Sequence, residues 1–587
     1  MHAYHRLLLL LTLVALVTTE THALTQVNSC RTLSTDGETY EITTDLSSPG
    51  TCLTLTANNI VLDLKGHTIR FGSGNAEDSY GVHNSGSNNI VRNGIIIQEG
   101  RPTTDNNGHK GIYWTSTTGT LENMDVRVYA HDTHAVEIAG WSEPCSNTGT
   151  ATIRNNTLAN YGTTLSSRDA FTSSALRLTR PNSKVNILGN RILASPQTGI
   201  NWVDIDWDYL NRPGRRGCGD GSQIAYNTIT INDAKYANPA GIICYQCPAL
   251  SIHHNTLNGQ GMEGIQLDNA FNQNGETRTL IHDNTINLDG NYHSAGHSAG
   301  PGEIQGIRIR YRPEHIDIYN NNITINADDA PGTEQNNAYG IWLTAGESGP
   351  AKDIHFWNNR INVATDGVNN IVAEAIHIDG VDKSTIEDVT FKNNHFESNH
   401  RTFAAGYNGP WTQPYDTVLF QNNTLKKSSG TTHDYATHAI YYASTATSVF
   451  KIVDPIYDNG ASKTDIDILS YSGANLGGQI YYTLTARVQN PQGQGQQGAT
   501  VSAQDAYGAS ETCTTGTAGE CTMILLDYER LRTGGAKNFP PYTITARHSD
   551  QELTQNTNLG EPTRLTFTLG SSVTPTCTDN TQNGDET

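Results

Sequence analysis

Seven polar or aromatic side chains in the middle of the chain have types and spacings that suit chemistry on one shared surface. An arginine can neutralise a carboxylate or stabilise an enolate-like anion, and a histidine or second arginine can remove a proton. Two aspartates can instead act as the paired carboxylates of glycoside hydrolysis. The alternative is that these charges pair with one another on an exposed sheet and do no chemistry. The seven residues are Gln266, Asp268, Arg308, Arg310, Trp342, His377 and Asp379.

Five of these residues are the candidate catalytic residues, and others are candidates for binding. The catalytic candidates are Arg308, Arg310, His377, Asp268 and Asp379, and the candidates for substrate binding are Gln266, Trp342, Arg177 and Asn201. Among the binding candidates, Trp342 can pack on the face of a sugar ring.

A separate acidic cluster, Asp204, Asp206 and Asp208, offers oxygen ligands of the kind that Ca²⁺ takes. The glycine and terminal glutamate of an EF-hand loop are absent there. Arginines follow at 212, 215 and 216, so a salt-bridged loop is the competing interpretation.

The elements that would position these side chains are revealed by an internal repeat. An apolar residue, two variable residues, Asn, one variable residue and another apolar residue recur eleven times with a mean spacing of about 33 residues, Met124 replacing Asn in one copy. The pattern predicts a strand, a bend and a second strand, with Asn in the left-handed region and its amide bonded to the next coil. The asparagines are Asn93, Asn156, Asn190, Asn227, Asn255, Asn284, Asn321, Asn359, Asn394 and Asn423.

A second strand accompanies each copy, and it begins with Gly or Ala followed by a branched apolar residue. Examples are Gly111-Ile112, Gly306-Ile307, Gly340-Ile341 and Ala375-Ile376. Side chains alternate along a strand, so we expect the apolar residues inside and the small residues outside, lining a shallow trough. Coils about 4.8 Å apart would then bring the seven residues into one patch.

The start of the repeat region carries a resemblance to a known group of proteins. Val61-Leu62-Asp63-Leu64-Lys65-Gly66-His67-Thr68-Ile69 resembles the first coil of right-handed parallel β-helix repeat proteins of the pectate-lyase-like superfamily. The resemblance covers residues 25 to 470 and implies an all-β fold, a right-handed parallel β-helix of about eleven or more coils. The superfamily includes lyases, hydrolases, epimerases and non-enzymatic surface proteins, so the resemblance does not specify one activity.

The periodicity changes after about residue 475. Short strand patterns there predict a small β-sandwich, and the segment resembles immunoglobulin-like or carboxypeptidase-regulatory-like modules. We expect a signal peptide at 1–23, the β-helix at 24–475, the sandwich at 476–571, and a linker or the start of a truncated Cys-containing repeat at 572–587.

Composition indicates the compartment and excludes some partners. The apolar run 7–17 and the small residues before position 24 are typical of a secretory signal, and no later segment is long enough to span a bilayer. With 37 Lys and Arg against 58 Asp and Glu, the net charge of -21 argues against nucleic acid as a partner.

We expect disulfides Cys30–Cys52 and Cys513–Cys521, while the pairing of Cys145, Cys218, Cys244 and Cys247 stays open.

Together these features predict a secreted, monomeric protein that binds an extracellular polysaccharide. We expect a polysaccharide lyase that cleaves a uronate-containing glycan by β-elimination, with calcium as the cofactor that such a site would take. The alternatives are a non-catalytic surface or adhesion protein that uses the β-helix as a scaffold, and a glycoside hydrolase that uses paired aspartates.

Overall fold

The structure, a computed structural model, is built from β-strands, and the described residues contain no helix. None of the described residues belongs to a helix that could cross a membrane. The described residues are 24–74, 78–99, 108–116, 118–130, 133–140, 149–162, 173–181, 183–194, 198–203, 220–231, 240–247, 249–260, 263–268, 277–289, 303–327, 337–345, 350–365, 372–380, 386–407, 418–430, 435–441, 449–469 and 477–570.

The chain divides into two compact units, which are described separately. Unit 1 comprises Met1–Gln266 and Tyr292–Ala299, and unit 2 comprises Leu267–Asn291 and Gly300–Thr587. In each unit consecutive coils pair in parallel, so the parallel β-helix that the repeat and the family resemblance predicted is present. Unit 2 continues into a small β-sandwich.

Each coil contributes one strand to sheet 1. In unit 1 these strands are Arg31–Leu33, Leu53–Leu55, Tyr80–Asn84, Lys110–Trp114, His134–Ala139, Ser174–Thr179, Thr198–Val203 and Ala240–Tyr245, and the strand Glu263–Asp268 contains the division between the units. In unit 2 they are Glu303–Arg310, Asn337–Ala345, Ala373–Gly380, Arg401–Tyr407, Ala436–Tyr441 and Ile466–Leu469.

Most coils contribute two strands, separated by a bend, to sheet 2. In unit 1 the sheet 2 strands are Leu24–Val27, Thr39–Ile42, Leu46–Ser47, Val61–Asp63, Thr68–Phe71, Asn89–Gln98, Gly119–Val128, Thr150–Arg154, Thr157–Asn160, Lys184–Leu188, Arg191–Ala194, Ser222–Ala225, Thr228–Ile231, Leu250–His253 and Thr256–Gly259. In unit 2 they are Thr279–His282, Thr285–Asp289, Glu314–Tyr319, Asn322–Ala327, Ala351–Trp357, Arg360–Thr365, Ile386–Lys392, His395–Ser398, Val418–Gln421, Thr424–Lys427, Val449–Val453, Ile456–Asp458 and Gly477–Gln489.

The repeated asparagines form a buried ladder at the bend of sheet 2. In unit 2 the side-chain amide and the backbone N–H of Asn321 both donate to Asn359 Oδ1, and those of Asn359 both donate to Asn394 Oδ1, at 2.9–3.0 Å. Each ladder amide also donates to a carbonyl of the preceding coil, as Asn359 does to Ile318. The amide ladder predicted from the repeat is therefore present in unit 2, and Asn156, Asn190 and Asn227 continue it in unit 1.

We expected the ladder asparagine to be the left-handed residue of the bend. The residue before it has that conformation instead. These preceding residues have φ between 54° and 59° at Asn155, Tyr226, His254, Asp283, Asn320, Asn358, Asn393 and Asn422. The first copy is also shifted by one residue, because Asn93 is itself left-handed and Gly94 pairs with Met124 at the ladder position. The ladder position needs a buried amide, whereas the turn position needs a backbone that reverses direction.

The small residues of sheet 1 point into the core rather than outward, so the predicted trough is wrong. A Cβ at Gly340 would lie 2.2 Å from Ile361 Cγ2, and one at Gly306 would lie 2.5 Å from Ile323 Cγ2. The paired residues of neighbouring strands skip these positions, since Tyr339 pairs with Glu374 and Ile341 with Ile376. Each small residue therefore sits in a local irregularity where sheet 1 packs closely on sheet 2.

The core of unit 2 is apolar, and aromatic rings fill its later coils. Phe356 and Phe391 stack with ring centroids 4.4 Å apart, and Phe403 contacts Phe420 and Phe450 at 5.1 and 4.7 Å. All five rings are at most 1 % exposed. Stacking like residues on successive coils continues the core along the helix axis.

The C-terminal strands of unit 2 form two facing sheets. Gly477–Gln489 pairs with the β-helix strand Val449–Val453 and also with Glu520–Leu531 and Thr563–Thr568. Glu520–Leu531 pairs with Gly535–Asn538, and the second sheet contains Ser510–Thr514, Thr500–Gln504, Tyr542–His548 and Gln551–Thr557. One long strand is thus shared by the last coil and the sandwich, while the family of this module stays a prediction.

Disulfides occur where the sequence predicted them and at one further place. Cys30 is bonded to Cys52 and Cys513 to Cys521, as expected. Cys244 is bonded to Cys247, a pairing that the sequence left open. The other cysteines, Cys145, Cys218 and Cys577, and the predicted signal peptide lie outside the described residues.

Candidate functional site

The candidate site is a group of side chains on sheet 1 of unit 2, which we call the sheet 1 patch. Its members are Asp268, Arg308, Arg310, Tyr339, Trp342, Glu374, His377 and Arg401. Strand pairing aligns Arg308 with Trp342 and Trp342 with His377 on successive coils, as the repeat predicted. Parallel strands carry aligned side chains to the same face, so these three lie in one column.

Arg310 and Asp268 form a two-pronged ion pair at one side of the patch. Arg310 Nε donates to Asp268 Oδ1 at 2.5 Å, and Arg310 Nη2 donates to Asp268 Oδ2 at 2.7 Å. The Asp268 side chain is fully buried, whereas that of Arg310 is 20 % exposed and its guanidinium also lies over the ring of Tyr311. Both carboxylate oxygens are engaged by one arginine, so Asp268 is poorly suited to act as an acid or nucleophile.

Arg308 lies against the indole of Trp342 in the next coil. The guanidinium carbon is 4.6 Å from the ring centroid, and both side chains are partly exposed. A guanidinium on an indole face keeps its charge while its orientation is restricted. The Nε1 of Trp342 and the Oγ1 of Thr344 are buried, and no described residue hydrogen-bonds either atom. A cation held by an aromatic ring is suited to bind a carboxylate.

His377 is held by a buried glutamate that the sequence analysis did not select. His377 Nδ1 lies 2.5 Å from Glu374 Oε2, and Arg401 Nη1 donates to Glu374 Oε1 at 3.3 Å. Tyr339 packs against the imidazole with a centroid separation of 4.5 Å, and Trp342 meets it edge-on at 5.8 Å. Glu374 is fully buried and its charge is compensated by Arg401, so it can orient the imidazole through Nδ1.

The residues that sequence reasoning missed form a second column of the patch. Tyr339, Glu374 and Arg401 are paired on successive coils. Residues i and i+3 of a regular strand point to opposite faces, and only the irregularity at Ala375 places Glu374 on the same face as His377. The available signal was a lone acidic residue between two alanines, Ala373 and Ala375.

Three of the predicted binding residues belong to unit 1. Arg177 and Asn201 are paired on adjacent coils of sheet 1, and Gln266 is on the strand Glu263–Asp268. Arg177 Nε donates to Thr179 Oγ1 at 3.1 Å and Arg177 Nη1 lies 3.2 Å from His134 Nε2, whereas Asn201 is fully buried. Burial, and after it the positive charge of Arg177, holds the pKa of His134 well below its usual value, so this imidazole is neutral.

The remaining predicted site residues are only partly placed. The backbone of Asp379 pairs with Thr344 and then with Tyr407 across an irregularity, and its side chain is not among those described. The predicted calcium ligands Asp204, Asp206 and Asp208 lie outside the described residues. The calcium site and the paired-aspartate site therefore stay predictions, the latter weakened by the ion pair of Asp268.

Comparisons with known proteins identify no family for this chain. No family model matches it, and no similar curated protein is found. Among solved structures, the catalytic domain of Agl-KA has 15 % identity over 76 % of this chain with a TM-score of 0.33, and the chain spans 63 % of that domain.

Two tailspike proteins are also similar at a low level. A mutant tailspike of E. coli bacteriophage HK620 in complex with a pentasaccharide has 11 % identity over 91 % of this chain and 87 % of its own, with a TM-score of 0.31. The Dettilon tailspike gp208 has 11 % identity over 90 % of this chain and 74 % of its own, with a TM-score of 0.29. TM-scores this low do not establish a shared fold, and the chemistry of this site follows from its own residues.

Proposed function

We propose that this protein binds an extracellular, uronate-containing polysaccharide at the sheet 1 patch and cleaves it by β-elimination. The observation that carries the proposal is a column of three side chains on successive coils. Arg308 stacks on Trp342 of the next coil, and His377, which is bound by Glu374, lies one coil further on. Abstraction of a proton beside a carboxylate requires a cation for the carboxylate and an oriented base, and this column contains one of each. The three disulfides among the described residues support an extracellular location.

In this mechanism Arg308 binds the uronate carboxylate and stabilises the negative charge that develops when the neighbouring proton leaves. Trp342 positions the guanidinium through the stacking contact of 4.6 Å. Removal of the Arg308 charge should therefore affect both substrate binding and the transition state.

His377 acts as the base. With its Nδ1–H donated to Glu374, its Nε2 carries the lone pair that accepts the proton from C5 of the sugar ring. The C–H electron pair forms a C4–C5 double bond, the C4–O glycosidic bond breaks, and the departing oxygen takes a proton from water. One product then carries an unsaturated end and the other a new hydroxyl.

Two other functions are weaker candidates. A hydrolase that uses paired aspartates would need a carboxylate that is free to act, and Arg310 engages both carboxylate oxygens of Asp268. A non-catalytic scaffold accounts for the β-helix but does not account for an imidazole that is oriented by a buried glutamate.

The test is to incubate the purified full chain with a panel of uronate polymers, with and without Ca²⁺, and to follow ultraviolet absorbance of unsaturated ends. We expect activity in the wild type and a loss of roughly 100-fold or more in Arg308→Ala and His377→Ala. Arg360→Ala is the matched control, since Arg360 is an exposed arginine on sheet 2. New reducing ends without absorbance would indicate a hydrolase, and no cleavage of acidic or neutral glycans would indicate a scaffold.

A further inference from the structure

A second group of polar side chains, independent of the sheet 1 patch, lies on sheet 2 of unit 2. Asp353, His355 and Asp388 each offer one metal-ligating atom, and these atoms all lie within 4.8 Å of one another. Asp353 and Asp388 occupy equivalent positions on adjacent coils, between the paired residues Lys352 with Glu387 and Ile354 with Val389. Both have left-handed backbones, with φ of 54° and 51°.

We propose that Asp353, His355 and Asp388 bind a divalent transition-metal ion of the Zn²⁺ type. His355 Nε2 and Asp353 Oδ1 are 3.3 Å apart. Around a tetrahedral ion with ligand bonds of about 2.0–2.1 Å, adjacent ligand atoms are separated by about 3.3–3.4 Å. These two atoms therefore already have the spacing of a ligand pair, and exposed Asp388 supplies the third ligand from the next coil.

The surrounding residues hold the opposite atoms of the same ligands. His355 Nδ1 lies 3.2 Å from both Asp317 Oδ1 and Arg278 Nη2, so polar groups of the neighbouring coils hold this side of the imidazole, and Nε2 is the ring nitrogen that faces Asp353 Oδ1. Asp353 Oδ2 is engaged by Arg278 Nη1 at 2.6 Å and by His315 Nδ1 at 2.5 Å, which leaves Oδ1 for the ion.

The charges of the cluster also favour a divalent cation. Asp317, Asp353 and Asp388 contribute three negative charges and Arg278 contributes one positive charge, which leaves two negative charges when the histidines are neutral. A divalent ion would neutralise this excess. One ligand is an imidazole nitrogen, and the described residues offer three protein ligands. This set suits Zn²⁺ better than Ca²⁺, which takes six to eight oxygens.

The test is calorimetric titration of the chelator-treated full chain with Zn²⁺, repeated for Asp388→Asn and His355→Ala. We expect the wild type to bind one equivalent of Zn²⁺ more than either variant, and to show a higher melting temperature when Zn²⁺ is added. Asp317→Asn should keep that equivalent but bind it roughly 10-fold more weakly. His395→Ala is the matched control, because His395 is a half-buried sheet 2 histidine beside Glu397, and it should titrate like the wild type.

The outcomes separate the alternatives. Asp388 is exposed, so Asp388→Asn should keep the fold, and circular dichroism of each variant checks this. Equal stoichiometry and affinity in the wild type, Asp388→Asn and His355→Ala would overturn the site. Binding of Ca²⁺ in preference to Zn²⁺ at the same residues would overturn the proposed class of ion.

Discussion

The asparagine ladder of sheet 2 and the sheet 1 patch lie in the same coils of unit 2 but use polar side chains in opposite ways. The ladder repeats one uncharged residue, and each amide meets an identical amide in the next coil. The patch repeats nothing along its columns, and its charged residues meet different partners, Asp268 with Arg310 and Glu374 with His377 and Arg401.

This difference separates structural from functional polarity in a repeat protein. A buried amide that bonds to its own kind satisfies donors and acceptors on every coil, so the same residue is useful everywhere. An ion pair that occurs on one coil has no such repeat-wide benefit, and its desolvation is costly. Non-repeating buried charge is therefore the better indicator of a site.

A large effect on stability should come from breaking the buried ion pair of the patch. Arg310→Ala leaves Asp268 buried without its bidentate partner, which should lower the free energy of unfolding by about 3–5 kcal/mol. Chemical denaturation measures this. The double variant Arg310→Met with Asp268→Leu removes both charges and should recover most of the lost stability. A double variant as unstable as Arg310→Ala would show that packing, not charge, determines stability at this ion pair.

A break in the ladder should be almost as costly. Asn359→Ala removes hydrogen bonds to Asn321, Asn394 and Ile318, and should lower the free energy of unfolding by about 2–4 kcal/mol in the same assay. The neighbouring turn residue is the control, because Asn358→Gly keeps a backbone that tolerates φ of 56° and should cost less than about 1 kcal/mol. Equal losses at the two positions would contradict the division between ladder and turn.

A titratable residue on the apolar side of sheet 1 should make stability depend on pH. His438 is aligned with Phe403, is fully buried, and burial lowers its pKa to about 3. The unfolded chain binds this proton near pH 6.5 and the folded chain does not, so stability is retained above pH 6.5 and lost as the pH falls toward 3. At pH 5 the loss is roughly 2 kcal/mol.

His438→Leu should weaken that dependence. Denaturation midpoints of the wild type and the variant between pH 7 and pH 4 measure the difference, and the wild type should lose more stability over this range. His395→Ala is the control here too. Because His395 is only half-buried, its replacement should change the pH dependence of stability less than His438→Leu does. An identical pH slope for the wild type and His438→Leu would show that the acid sensitivity arises elsewhere.

The smallest expected effect concerns the aromatic side of the patch. Tyr339 contacts His377 and Trp342 through its ring, at 4.5 and 5.4 Å. Tyr339→Phe preserves these contacts and should change stability by less than about 1 kcal/mol, whereas Tyr339→Ala removes them and should cost more. Thermal or chemical unfolding of the two variants provides the comparison. A large loss in Tyr339→Phe would assign the stabilising role to the hydroxyl instead of the ring.

The sequence by itself determined the coil, because stacked parallel strands need the same kind of residue at the same place in every repeat. The recurring Asn predicted the amide ladder, and the recurring apolar pairs predicted which side chains align, as with Arg308, Trp342 and His377. The repeat therefore predicts the register of neighbouring strands from the sequence, since a one-residue slip would exchange the two faces of a strand.

Only the tertiary structure decided which charges meet and which way the small residues point. Arg310 and Asp268 are 42 residues apart, and their pairing depends on side-chain geometry between coils rather than on any local pattern. The inward position of Gly340 and Ala375, and with it the meeting of Glu374 and His377, depends on an irregularity that breaks strict alternation. Periodicity predicts which positions recur, whereas the contacts of a site depend on side chains that do not recur.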